Sequence, residues 1–117
     1  MNKMGLTTEF KEVFKANIDR DPEFGLEVFR GAVQALLDND LVTGRSVLRN
    51  YVNATIGFGK LSEITGLQEK SLMRMLSVKG NPVASNLLAV IWAVQEFNGA
   101  RLKVDFEGTP NDLVSAA

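Results

Sequence analysis

The sequence predicts an all-α fold, and three observations carry that prediction. Apolar residues recur at spacings of three and four through most of the chain, which gathers them on one face of a helix. Residues suited to helix ends punctuate the pattern at Asp21-Pro22, Asp38-Asn39-Asp40, Thr65-Gly66-Leu67, Gly80-Asn81-Pro82 and Asn98-Gly99. Only Arg101 to Phe106 alternates with the period of a strand.

At 117 residues the chain fits one compact domain, because two separate cores of half that size would each be marginal. Its 45% hydrophobic and 23% charged residues are a globular composition rather than a disordered one. Within the domain the sequence divides into acidic N-terminal helices over residues 1–40, a core over 41–106 and a flexible tail over 107–117. Internal repeats and low-complexity tracts are absent.

Phe10, Val13 and Phe14 share a face and predict a first short helix. Asp21-Pro22-Glu23 opens the next: the Asp side chain accepts from free amides, Pro suits the first turn, and Glu complements the helix dipole. Behind it Val28, Phe29, Ala32, Val33, Leu36 and Leu37 form a broad buried stripe. Asp38-Asn39-Asp40 ends that helix and supplies Asp40 as the cap of a third, which turns Leu41, Leu48, Tyr51 and Val52 inward and leaves Arg45 and Arg49 on a polar side. From Phe58 the helices shorten. Phe58, Leu61 and Ile64 share one face, Thr65-Gly66-Leu67 interrupts, and Leu72, Met75 and Leu76 resume. After Gly80-Asn81-Pro82, Leu87, Val90, Ile91, Val94 and Phe97 keep helical spacing as far as Asn98-Gly99, with Trp92 beside them as a core or dimer contact. The alternating Arg101 to Phe106 cannot satisfy its own backbone as a lone strand. With no second strand in the sequence, its expected partner is the same strand of another subunit in a homodimer.

Composition also narrows the chemistry. Cysteine and histidine are both absent, which removes disulfides, thiolate nucleophiles, the usual general base and the commonest transition-metal ligands. Neither an enzyme, a metal site nor a cofactor is expected. Gly57-Phe58-Gly59-Lys60 invites comparison with a phosphate-binding loop but fails it, since Leu61 stands where a hydroxyl must bind the metal and Ala54 where the first Gly belongs. No apolar run is long enough to span a bilayer, and residues 1–20 are broken by charges rather than built as a signal peptide, so a cytoplasmic protein without membrane attachment is expected.

The net charge of −1 conceals an uneven distribution. Residues 1–40 hold five basic residues against eight acidic ones, whereas residues 41–104 hold eight basic residues against Glu63, Glu69 and Glu96. That basic middle contains residues 57–76, which meet the requirements of a helix-turn-helix. The inner faces are apolar (Leu61 and Ile64 against Leu67, Leu72 and Met75), Ser62 is small where the helices touch, and Gly66 tolerates a positive φ in the turn. The second helix then presents Gln68, Glu69, Lys70, Met73, Arg74 and Ser77 outward, where a major groove would lie. Met73 and Met75 otherwise read as filler of a core or interface, and Lys70 with Arg74, out of this context, as a solvated pair one turn apart.

Residues from about Leu36 to Val104 resemble the Xre/Cro/λ-repressor-like helix-turn-helix family, most of all the addiction-module antidote (antitoxin) proteins of bacterial toxin-antitoxin pairs. The resemblance is carried by Phe58, Leu61, Ser62, Glu63, Thr65, Gly66, Leu67, Ser71 and Leu72. It continues through Leu76-Ser77, Gly80-Asn81-Pro82, the apolar run Leu87 to Val94 and the alternating Arg101 to Val104. It implies a bundle of about five helices, binding of double-stranded DNA by the helix from Gln68, transcriptional repression and, in the antidote branch, a toxin partner that is usually a small ribonuclease. Two positions depart from the pattern: Val83 replaces a capping Ser or Thr, and Glu69 places a carboxylate on the recognition face, where it would repel phosphate unless it reads a cytosine amino group.

On this reading Gln68, Lys70 and Arg74 reach base edges, since Gln suits adenine and Lys or Arg suits guanine. Glu69, Met73 and Ser77 complete the groove-facing set, Gly66 makes the turn, and Arg45, Lys60, Lys79 and Arg101 contact phosphates. The alternative function is a protein-interaction module that holds a partner through its acidic helices without reading DNA.

Overall fold

The computed structural model describes residues 8–110, which form six helices: α1 (Thr8–Arg20), α2 (Pro22–Leu37), α3 (Leu41–Ala54), α4 (Phe58–Thr65), α5 (Glu69–Met75) and α6 (Ala84–Asn98). The all-α class is as expected. Both acidic caps act as the sequence implied: Asp21 Oδ1 accepts from the amide of Phe24 and Asp40 Oδ1 from that of Thr43, each at 3.3 Å. Asn39 takes a φ of +64° between α2 and α3, a conformation that Asn tolerates better than most residues.

The most extensive helix pair is α2 with α3, and Gly44 is what lets them approach. A Cβ there would lie 2.5 Å from Leu36 Cδ2 and 3.2 Å from the carbonyl oxygen of Ala32. Tyr51 ties three helices together: its ring stacks on Phe29 of α2 with centroids 5.5 Å apart, and its hydroxyl accepts from Asn98 Nδ2 of α6 at 3.0 Å. Leu48 and Val52 of α3, Leu61 of α4, Leu72 of α5, Leu76 just beyond it, and Val90 and Val94 of α6 are all fully buried. The short helices α4 and α5 are therefore held mainly by this shared core, being too short to persist alone.

Several expectations need correction. Leu37 is 70% exposed, and Leu41 and Phe97 are also exposed. Leu37 and Leu41 sit at the facing ends of α2 and α3, beyond the layer the helices bury. Among the described residues there is no strand. The chain from residue 100 to 107 runs without helix, turn or bend, but one chain offers it no neighbour to pair with. Most of the tail expected over 107–117 lies outside the described residues. Among those described, no helix is long and apolar enough to cross a membrane.

Candidate nucleic-acid interface

Residues 58–75 form two short helices joined by a three-residue turn, and the turn is over-determined. Gly66 sits in the left-handed region at φ 77°, ψ 3°, and its amide donates to the Ser62 carbonyl at 2.9 Å. The Thr65 hydroxyl donates to the Leu61 carbonyl at 2.8 Å and accepts from the Leu67 amide at 3.1 Å. Ser62 Oγ closes the loop by donating to the Leu67 carbonyl at 2.6 Å. Sequence reading valued Ser62 for its small size alone; the hydroxyls of Ser62 and Thr65 flanking a Gly were the signal that both sides of the turn would be hydrogen-bonded.

The inner faces behave as expected. Leu61, Leu72 and Met75 are buried, with Ile64 and Leu67 packed against them. What this leaves outside on α5 is Lys70, Met73 and Arg74, all exposed, at the i, i+3, i+4 spacing that makes one contiguous face. Gln68 and Glu69 are exposed at the start of the helix, where Gln68 is the N-cap residue but makes no side-chain cap. Ser77 stands apart from this face: it lies past the helix, half-buried, with its hydroxyl donated to the Arg74 carbonyl at 2.6 Å. The α6 N-cap, Val83, likewise makes no side-chain cap, as its identity dictated.

The four residues assigned to phosphates separate into different situations. Arg45 is withdrawn from that set. It is only 8% exposed, and its guanidinium donates to the carbonyls of Ser77 at 3.4 Å and Val78 at 3.2 Å. Arg49, one turn along α3, donates to the Leu76 carbonyl at 3.0 Å. The two arginines thus bind three consecutive carbonyls just after α5, which both anchors the end of that helix and complements its dipole. Gly80 completes the junction: a Cβ there would fall 2.2 Å from the Met75 carbonyl oxygen, so the chain can pass only as glycine.

Lys60 faces Glu63 at 3.6 Å, and Arg101 faces Glu96 at 3.8 Å, both exposed pairs that solvent and salt weaken. Lys70, Arg74 and Lys79 are exposed, and among the described residues none has an acidic partner at ion-pair distance. On the acidic side of the molecule, the Glu27 carboxyl is held below the usual range by the hydrogen bond and charge of Arg30 at 2.7 Å. That pair neutralises part of the α2 surface.

Compared with known protein families, curated proteins and solved structures, the chain gives no match to any. The functional reading therefore stands on the residues and their geometry.

Proposed function

We propose that this chain is a sequence-specific regulator of transcription that binds double-stranded DNA through a helix-turn-helix made by α4, the Gly66 turn and α5. The observation that carries the proposal is the exposed face of α5. Lys70 and Arg74 stand one turn apart, without acidic partners among the described residues, on a helix fixed from behind by a buried core and from its end by two arginines. A rigid helix presenting cations and a polar N-terminal residue suits base-edge recognition in a major groove. In this reading Gln68, Lys70 and Arg74 contact bases, Lys79 contacts phosphate, and Lys60 and Arg101 join it once their weak surface pairs open. The resemblance to antidote proteins extends the proposal to repression and to a toxin partner.

Fluorescence anisotropy with duplexes from the DNA upstream of the coding sequence, measured over a salt series, tests this. Binding must weaken with salt, because cations that neutralise phosphates release counterions. Arg74→Ala is expected to cost about 1–3 kcal/mol at the preferred site and to relax the preference at one base pair. Absence of salt-sensitive binding to any duplex overturns the proposal. A tight complex with a partner protein, unaffected by Lys70→Ala and Arg74→Ala, would move the function to protein interaction.

A further inference from the structure

The segment after α6 carries a charge pattern with a consequence for self-association. Residues 101–107 read Arg, Leu, Lys, Val, Asp, Phe, Glu: basic at one end, acidic at the other, apolar at every second position, and symmetric about Val104. We propose that this segment pairs antiparallel with the same segment of a second copy, about a two-fold axis at Val104. In that register Arg101 faces Glu107, Lys103 faces Asp105 and Leu102 faces Phe106, each twice, with Val104 opposite Val104. Shifting the axis to Lys103 sets two lysines against each other, and shifting it to Asp105 sets two carboxylates against each other. A one-residue shift pairs charged with apolar positions, and a parallel in-register pairing stacks like charges throughout. Only the register centred on Val104 satisfies both patterns.

The structure supplies a second, independent argument, from the backbone. The Leu102 amide donates inward to Gln95 Oε1 at 2.8 Å, and the Phe106 amide is held by Asp105 Oδ1 at 2.8 Å. The amides of Lys103 and Asp105 make no hydrogen bond with the described residues. Successive amides of an extended chain point to opposite edges, so two of the three even-numbered amides, those of Leu102 and Phe106, are engaged while the odd-numbered edge is open. Pairing along the open edge puts Lys103 and Asp105 in hydrogen-bonded positions and Val104 in a close, non-hydrogen-bonded pair. The open edge fixes which residues face the partner backbone, and the charges then select Val104 among the axes that this edge allows.

The apolar face explains why a second copy is needed. Leu102 packs against the core, but Val104 is 85% exposed and Phe106 95% exposed. Beside them, Leu37, Leu41 and Leu88 line an open groove of about 510 Å³. A two-stranded ribbon alone is marginal in water, so the affinity comes from covering these side chains. Phe106 of the second copy arrives opposite Leu102, at the edge of that groove. The ion pairs then fix the register.

Sedimentation equilibrium of the full chain at low ionic strength, without DNA, tests the proposal independently of any DNA-binding role. The wild type is expected to dimerise at sub-millimolar concentration. Lys103→Asp sets carboxylates face to face at both symmetric positions, and Asp105→Lys sets ammonium groups face to face. Each alone should raise the dimer Kd by about tenfold or more. The double variant Lys103→Asp with Asp105→Lys should restore it, and an equimolar mixture of the two single variants should form a heterodimer stronger than either homodimer. Both side chains are exposed, so circular dichroism melting of each variant should match the wild type at concentrations where all are monomeric. A wild type that stays monomeric overturns the proposal. So does a dimer indifferent to the single reversals, and so does a double variant or mixture that fails to recover pairing.

Discussion

Arg45→Met separates two roles for one cation, because the substitution removes the guanidinium while keeping most of the aliphatic stem that lies in the α3–α5 junction. The bond to the Val78 carbonyl, at 3.2 Å, lies at the edge of the usual range, and that to Ser77, at 3.4 Å, lies beyond it. Counting the first as a charged hydrogen bond of about 1.5 kcal/mol, the second as a fraction of that, and the charge at the helix end as a few tenths, the loss is about 2 kcal/mol. That is a large part of a small domain's stability and should shift the urea midpoint without changing the slope of the transition. DNA affinity should fall as well, since the end of α5 loses an anchor, while the dependence of log K on log salt stays as in the wild type. A residue touching phosphate behaves in the opposite way: its removal lowers the salt slope by about 0.9 and leaves stability alone. An unchanged urea midpoint with a reduced salt slope would refute the placement of Arg45 at the α5 terminus.

Gly66→Ala and Gly80→Ala test two different reasons for glycine. At Gly66 the site is open and only the positive φ opposes a side chain, so thermal melting should show a loss of about 1 kcal/mol; at Gly80 the new Cβ meets the Met75 carbonyl, so the loss should be clearly larger, and the reverse order would contradict the junction geometry. Tyr51→Phe keeps the stack on Phe29 but deprives Asn98 of its acceptor, for an expected cost of about 1 kcal/mol in urea unfolding. With Lys60, Lys79 and Arg101 as the proposed phosphate contacts, log–log salt titration of DNA binding should give a slope of about −3 per chain; a value several-fold steeper would require Arg45 and Arg49 to reach phosphate.

What was legible in the sequence was whatever local chemistry decides. Asp21 and Asp40 cap the helices they precede because their oxygens need only amides three residues on, and Gly66 and Gly99 end α4 and α6 because the left-handed conformation favours glycine. The exposed face of α5 followed from the same periodicity that buried Leu72 and Met75. Arg45 and Arg49 were not legible, since an i, i+4 basic pair looks solvated until a partner some thirty residues away turns its carbonyls toward it. Leu37 and Leu41 satisfied the apolar spacing but lie at the end of α2 and the start of α3, where they line an open groove and not the closed core, which apolar pattern alone does not distinguish. The strand-like segment posed a different problem: alternation specifies which side chains share a face, but a ladder needs a second backbone that one chain does not contain.

The distribution of arginine and lysine supports the proposed binding of a polyanion by a chain of nearly zero net charge. Arg45 and Arg49 sit toward the interior, where a planar fork can bind several carbonyls at once and where a lysine would satisfy fewer of them. Their guanidinium groups are committed to the carbonyls just after α5, where they add stability at the end of that helix. Lys70 and Arg74 are left outward on a helix whose position is already fixed, so in the proposed complex with DNA little ordering of that helix is required. The acidic residues concentrated before residue 41 lie on and beside α1 and α2 and not on α5, and salt screens exposed charges from one another over about 10 Å. Net charge is thus a poor guide to what α5 presents; the separation of buried from exposed cations decides it.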